Sequence, residues 1–301
     1  MTTAPRLPSP SLRALVAGLV DYAGLFPPAS LGMTEAAAHY AEHQQSPQRW
    51  MLGRFVAPVA RLDALAAAAA PHRAPGSAPW RVSALLGDDV LADAARIEAF
   101  NLANAGALVV DVAEARAASE ERIEAVVRAL GSDVVAYLEL PHDAEPRPLL
   151  EVVQRVGARA KLRTGGVTAD AFPTAPQIAR FIARCAELGV PFKATAGLHH
   201  PLRGEHRLTY QANAASATMF GFLNVFVAGA LAASGVGETE LEEVLEERAS
   251  TAFDFGTDGL RWRNRHVPLE QLIAARASFA VAFGSCSFRE PVGDLHELAL
   301  L

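Results

Sequence analysis

The sequence predicts a single (β/α)8 TIM-type barrel spanning residues 1–301, with a long helical insertion at about 205–279 between the seventh and eighth strands. Three observations predict it. Short apolar runs of strand length alternate with longer helical patterns through most of the chain, as repeated β-α units on a parallel sheet require. The connections are long enough for crossover helices. No change of composition divides the 301 residues, 51% of them hydrophobic, into separate halves.

Taken in order, the first strand ends near Asp21–Leu25, and the next are 52–58 (LGRFVAP), 81–86 (RVSALL) and 107–112 (ALVVDV). They are followed by 134–140 (VVAYLEL), 159–163 (RAKLR), 190–195 (VPFKAT) and 280–284 (AVAFG). Helical patterns fill 91–104, 114–130, 146–156 and 174–188, while the Ala/Pro-rich stretch 66–79 reads as a surface helix end and loop. Within the insertion, an apolar helix over 212–234 contains Asn213 and Asn224 and precedes an acidic helix over 238–250. The apolar helix is expected to cover the barrel or to form a homo-oligomer face.

Composition removes several function classes. A net charge of −6 offers no cationic face to nucleic acid or anionic lipid. The apolar stretch before Asp21 is too short for a secretory or membrane-spanning segment. Cys185 and Cys286 stand far apart and outside any CxxC spacing, so the chain reads as reduced and cytoplasmic, with no nucleic-acid or membrane partner. The absence of GxGxxG, Walker A and GxSxG patterns argues against nucleotide and serine-hydrolase chemistry, and no cofactor is expected.

The basic residues are 25 Arg and only two Lys, Lys161 and Lys193. Arginine cannot replace an amine that must lose its proton, so the survival of two lysines draws attention to both. Each sits in an apolar strand-like run. Strand ends of a barrel converge on one site, and the polar residues there are Asp21, Tyr22, Arg54, Asp111, Glu139, Lys161, Arg163, Lys193, Ser285, Cys286 and Ser287. Two ammonium groups close together in a low-dielectric pocket repel each other. The pKa of one falls, leaving a free amine to attack a carbonyl as a Schiff base while Asp111 or Glu139 moves protons. The bland alternative is that each lysine pairs with Asp111 or Glu139 in a structural ion pair on a non-catalytic barrel.

These runs resemble a known family. AKLRTGG is similar to the sixth-strand lysine motif of deoxyribose-phosphate aldolase and related class I aldolases, VPFKATAG to their seventh-strand lysine motif, and FGSCSF to the turn closing their eighth strand. VVDV, with Asp111, is similar to their fourth-strand acidic motif, and YLEL stands where their fifth strand would be. The resemblance covers short patches over about 105–200 and 280–288. It implies an aldolase-like lyase acting on a small-molecule carbonyl substrate without metal, with Lys161 as Schiff-base former, Lys193 as its partner and Asp111 in the proton relay. Arg163 and Thr164 depart from the family's loop, and His199 and His200 stand where it has a phosphate-binding turn. Backbone N–H groups near Gly197 and Gly284 with Ser285 and Ser287 are one way to hold phosphate; Arg163 or Arg203 would instead clamp a carboxylate. Substrate-binding candidates are thus Arg163, Thr164, Arg54, His199, His200, Ser285 and Ser287. The rival reading is a metal-dependent hydrolase or lyase, with His199 and His200 joined by Glu139, Asp111 or His142.

Overall fold

The structure, a computed structural model, describes residues 7–74 and 76–301. Eight parallel strands close into a barrel: β1 (Val20–Tyr22), β2 (Leu52–Pro58), β3 (Trp80–Leu85), β4 (Leu108–Arg116), β5 (Val135–Glu139), β6 (Arg159–Arg163), β7 (Phe192–Thr195) and β13 (Ala280–Ser285). β1 closes the barrel by pairing with both β2 and β13. The fold is therefore the (β/α)8 barrel expected. The strands read as apolar runs because both faces are covered, by the barrel interior on one side and by helices on the other.

The outer layer comprises α1 (Pro10–Val16), α2 (Met33–Gln45), α3 (Leu62–Ala69), α4 (Val90–Ala103), α5 (Glu120–Leu130), α6 (Arg147–Arg155) and α7 (Ala175–Leu188). Local chemistry sets their ends. Ser119 caps α5, and Thr174 and Gln177 form a reciprocal capping box on α7. Gly189 ends α7 in a left-handed conformation, φ 65°, that suits glycine.

The largest departure from the sequence reading within the barrel lies between β4 and α5. β4 runs on to Arg116, and α5 starts only at Glu120, although AEAR has good helix formers. Pairing on both sides decides the matter: the Leu86 N–H donates to the Glu114 carbonyl and the Ala117 N–H to the Glu139 carbonyl. The register slips in the same strand. Val82 pairs with Val110 but Ser83 with Val112, so Asp111 is an extra, bulged residue.

The insertion is not purely helical. A hairpin of β8 (Gly204–Arg207) and β9 (Ser216–Met219) comes first, then α8 (Phe222–Ala233), α9 (Glu238–Glu246), an antiparallel sheet of β10 (Phe253–Phe255), β11 (Gly259–Trp262) and β12 (Arg265–Pro268), and α10 (Leu269–Ser278). α11 (Arg289–Glu297) follows β13. The expected helix 212–234 is thus shortened to α8, because its first half pairs with β8. Gly221 permits the turn, since a Cβ there would collide with the Pro201 carbonyl and Leu202. α8 is the crossover helix into β13. Phe222 and Phe226 pack on Phe283, and α7, α9 and α10 close over it. Every residue from Phe222 to Ala232 is buried within the chain, so α8 has no free face for a second copy. Among the described residues no helix is long and apolar enough to cross a membrane.

One buried amide ties the parts of the insertion together. The Asn224 Oδ1 accepts from the Arg203 N–H at 2.9 Å, and its Nδ2 donates to the Val244 and Glu247 carbonyls at 2.7 and 2.8 Å. Asn224→Ala leaves those backbone groups unpaired and is expected to lower stability by about 2–4 kcal/mol, read as a shift of the urea-unfolding midpoint.

Candidate active site

The strand register sets Lys161 directly beside Lys193, and Glu139 directly beside Lys161. All three side chains meet inside the barrel with Asp21 and Glu114, and Lys161 and Glu114 reach the cavity at its open end. Lys161 Nζ lies 2.8 Å from Glu114 Oε2 and 2.8 Å from Glu139 Oε2. Lys193 Nζ lies 2.6 Å from Glu114 Oε1 and 2.7 Å from Asp21 Oδ2. Glu114 therefore bridges both lysines, one on each oxygen, and Ser83 Oγ donates to it at 2.6 Å. Both ammonium groups touch one carboxylate, so they lie well inside the Debye length of about 10 Å at 0.1 M salt.

Charge is nearly balanced along this chain. Asp21, Lys193, Glu114, Lys161 and Glu139 alternate in sign, and Arg163 Nε closes the row on Glu139 Oε1 at 3.0 Å. Burial alone would raise the Glu114 pKa, but the two lysines outweigh it and hold the carboxyl far below its usual range. Burial likewise works against the charge on Lys193, yet Asp21 and Glu114 raise its pKa above the ordinary lysine value. The expected depression of a lysine pKa by its neighbour therefore does not hold for Lys193. Two carboxylates keep it charged.

Above this row lies a cavity of about 250 Å³. Lys161, Glu114 and Arg163 form its floor, while Lys193, 2% exposed, is sealed beneath. Phe26, Pro27, Pro28, Val56 and Leu85 make an apolar wall. The hairpin adds Arg207 and Met219 from its strands and Leu208 and Tyr210 from the loop between them.

The other candidates divide. His199 and His200 line the cavity, as does Cys286. Asp111 lies outside the lysine cluster: it pairs with Arg54 Nε at 2.7 Å and Arg81 Nε at 2.8 Å, near the opposite ends of the strands. Arg54 is thereby committed to that pair, and its backbone N–H positions Asp21 through Oδ1 at 2.7 Å. Thr164 is buried and donates to the Ala196 carbonyl at 2.5 Å, fixing the loop after β7. Ser285 and Ser287 serve the β13–α11 turn: Ser285 Oγ accepts from the Ser287 N–H and Ser287 Oγ from the Glu290 N–H. Glu114 escapes the sequence reading because it falls in a segment read there as helix.

His199 and His200 turn to different partners. His199 Nδ1 meets Glu290 Oε2 at 3.0 Å and Cys286 Sγ at 4.0 Å, whereas His200 Nδ1 meets Asp294 Oδ2 at 2.6 Å and its ring stacks on His206. Among the described residues no group of three or more His, Cys, Asp or Glu is placed to share a metal ion. Burial opposes the charge on His199, but its contacts with Cys286 and Glu290 prevail and raise the pKa from 6.5 to about 9. A raised folded-state pKa contributes stability that is complete below about pH 6.5 and lost as pH rises through about 9. Unfolding titrations between those limits should show a loss on the order of 2–3 kcal/mol that is absent in His199→Asn.

No protein-family model, curated protein or solved structure matches the chain.

Proposed function

We propose that the protein is an aldolase-like lyase that forms a Schiff base between Lys161 and a small oxo-compound, making or breaking the C–C bond between that compound's α and β carbons. The observation that carries this reading is the asymmetry of the two lysines: Lys161 reaches the cavity between two carboxylates, whereas Lys193 is sealed below Glu114. Lys161 is the imine former and Lys193 the fixed countercharge. The carboxylate that the class I aldolase resemblance assigns to Asp111 is then Glu114, the fourth-strand acid that touches both amines.

In this scheme Lys161 passes a proton to Glu139 Oε2, 2.8 Å away, and the free amine attacks the carbonyl carbon. Glu139 is the better acceptor because its other partners, Arg163 and Arg116, stand on Oε1 and leave Oε2 to Lys161, whereas Glu114 is held between both lysines and Ser83. Glu139 returns the proton to the carbinolamine hydroxyl, which leaves as water. Again a carboxylate, Glu139 then takes the proton of the hydroxyl on the β carbon, which departs as an aldehyde or ketone while the electron pair of the bond between the α and β carbons flows to the iminium nitrogen. The resulting enamine is reprotonated and hydrolysed to free the amine. The unpaired Cys185 and Cys286 suit the cytoplasm we infer as its compartment.

The ion pairs themselves favour a second reading, in which both lysines only neutralise buried carboxylates. Borohydride reduction with a panel of aldehydes and 2-oxo acids, followed by peptide mass mapping, separates the two. Adducts on Lys161 support the lyase; a chain unlabelled by every member of the panel is the structural barrel.

A further inference from the structure

The barrel mouth has two lobes that share Lys161, Glu114 and Arg163. One is the cavity beneath the hairpin. The other, about 400 Å³, opens over the ends of β3 to β6 and is rimmed by Arg116, Arg122 and Arg163. Arg122 is occupied by the Gly87 and Asp88 carbonyls. Arg116 is 82% exposed and lies 3.6 Å from Glu139. Arg163 spends Nε on Glu139 and Nη1 on the Gly165 carbonyl at 3.3 Å, and its Nη2 has no protein hydrogen-bond partner among the described residues.

The hairpin lobe is of mixed charge where a barrel usually holds phosphate, in the loops after the seventh and eighth strands, with His199 and Arg207 beside an acid. Glu290 stands there, and its Oε2 takes contacts from His199 and Tyr210 at 3.0 and 2.9 Å. The N–H groups of Ser287 and Glu290 are already given to serine hydroxyls. A phosphate would find those two backbone donors in use and would have Glu290 as a neighbour.

The spacing on the other side suits a nearer anion. Glu139 takes Arg163 on Oε1 and Lys161 on Oε2, so the guanidinium and the amine stand one carboxylate's width apart. A carboxylate bonded directly to the reacting carbon matches that gap, with the carbon on Nζ and the oxygens toward Nη2. A phosphate several atoms further along the substrate would not fit between the two groups.

Building on the Schiff-base reading, we infer that the substrate is an unphosphorylated 2-oxo acid whose carboxylate is held by Arg163. Its remaining chain enters the apolar cavity under the hairpin. The 2-oxo carbonyl takes up the Lys161 amine and loses water, the proton for that water coming through Glu139, and the carboxylate keeps its charge against Arg163 throughout.

The test compares borohydride trapping of 2-oxobutanoate, butanal and glycolaldehyde phosphate on Lys161, in the wild type, Arg163→Lys and Arg163→Gln. The wild type should trap 2-oxobutanoate at about tenfold to a hundredfold lower concentration than butanal, the range for one charge-assisted hydrogen-bonded contact. That ratio, measured within each protein, should collapse in Arg163→Gln and partly recover in Arg163→Lys. Equal trapping of acid and aldehyde by the wild type, an unchanged ratio in a folded Arg163→Gln, or preference for the phosphorylated aldehyde overturns the 2-oxo acid assignment alone. No adduct from any of the three overturns the Schiff-base reading beneath it. Because the wild-type ratio needs no variant, the assignment stays open to refutation even where Arg163→Gln fails to fold.

Discussion

Lys161→Arg is expected to abolish imine trapping and to reduce turnover by about a thousandfold or more, although charge and approximate size are kept. A guanidinium stays protonated at any pH a folded protein tolerates, so it can pair with Glu114 and Glu139 but cannot attack a carbonyl. The fold should survive, because both carboxylates retain a cationic partner. Lys193→Arg is the informative comparison. Lys193 is 2% exposed and fits between Asp21 and Glu114, so the larger head group disturbs packing but preserves the countercharge, and trapping on Lys161 should persist at a reduced rate. Mass mapping after reduction reads both results directly. An adduct on position 193 would exchange the roles of the two lysines, and full activity in both variants would remove covalent catalysis altogether.

Glu114→Gln should have the largest effect on stability. A neutral amide leaves Lys161 with only Glu139 and Lys193 with only Asp21, in a site where Glu114 is 3% exposed. Breaking a buried ion pair by removing one partner costs about 3–5 kcal/mol, because the other charge stays buried. For a domain of this size that corresponds to a fall in Tm on the order of 10 °C, measurable by calorimetry. Adding Lys193→Met should recover part of the loss and not all of it, since Asp21 then loses its own partner. A Glu114→Gln protein within about 2 °C of wild type would mean that the bridge between the lysines contributes little.

Much of this arrangement was legible beforehand for one physical reason. A parallel strand covered on both faces must be apolar along its length, so β2 and β6 stood out at their observed limits, and a lysine inside such a run was conspicuous. The neighbouring placement of Lys161 and Lys193 followed from one β-α unit between them. Glu114 was not legible. Its strand carries an extra residue at Asp111, and strict alternation from Asp111 would send Glu114 to the outer face. Its neighbours Ala113, Ala115 and Arg116 favour helix as single residues, and only the pairing with β3 and β5 keeps them extended. The hairpin was hidden for a related reason: its second strand, SATM, is too short and too small in side chain to announce itself.

The hairpin between β7 and α8 also divides the protein into two parts under different constraints. Every group in the charged row stands on the closed barrel, on β1, β4, β5, β6 and β7, where each is held by one or two others of the row. Arg207 and Tyr210 belong instead to an excursion that the barrel's closure does not require. Changes there reshape the roof of the cavity while leaving the ionic row intact. The shape of the cavity's roof and the charge of its floor are thus set by separate stretches of chain, and the length and side chains of the excursion can vary without moving Lys161 or its carboxylates.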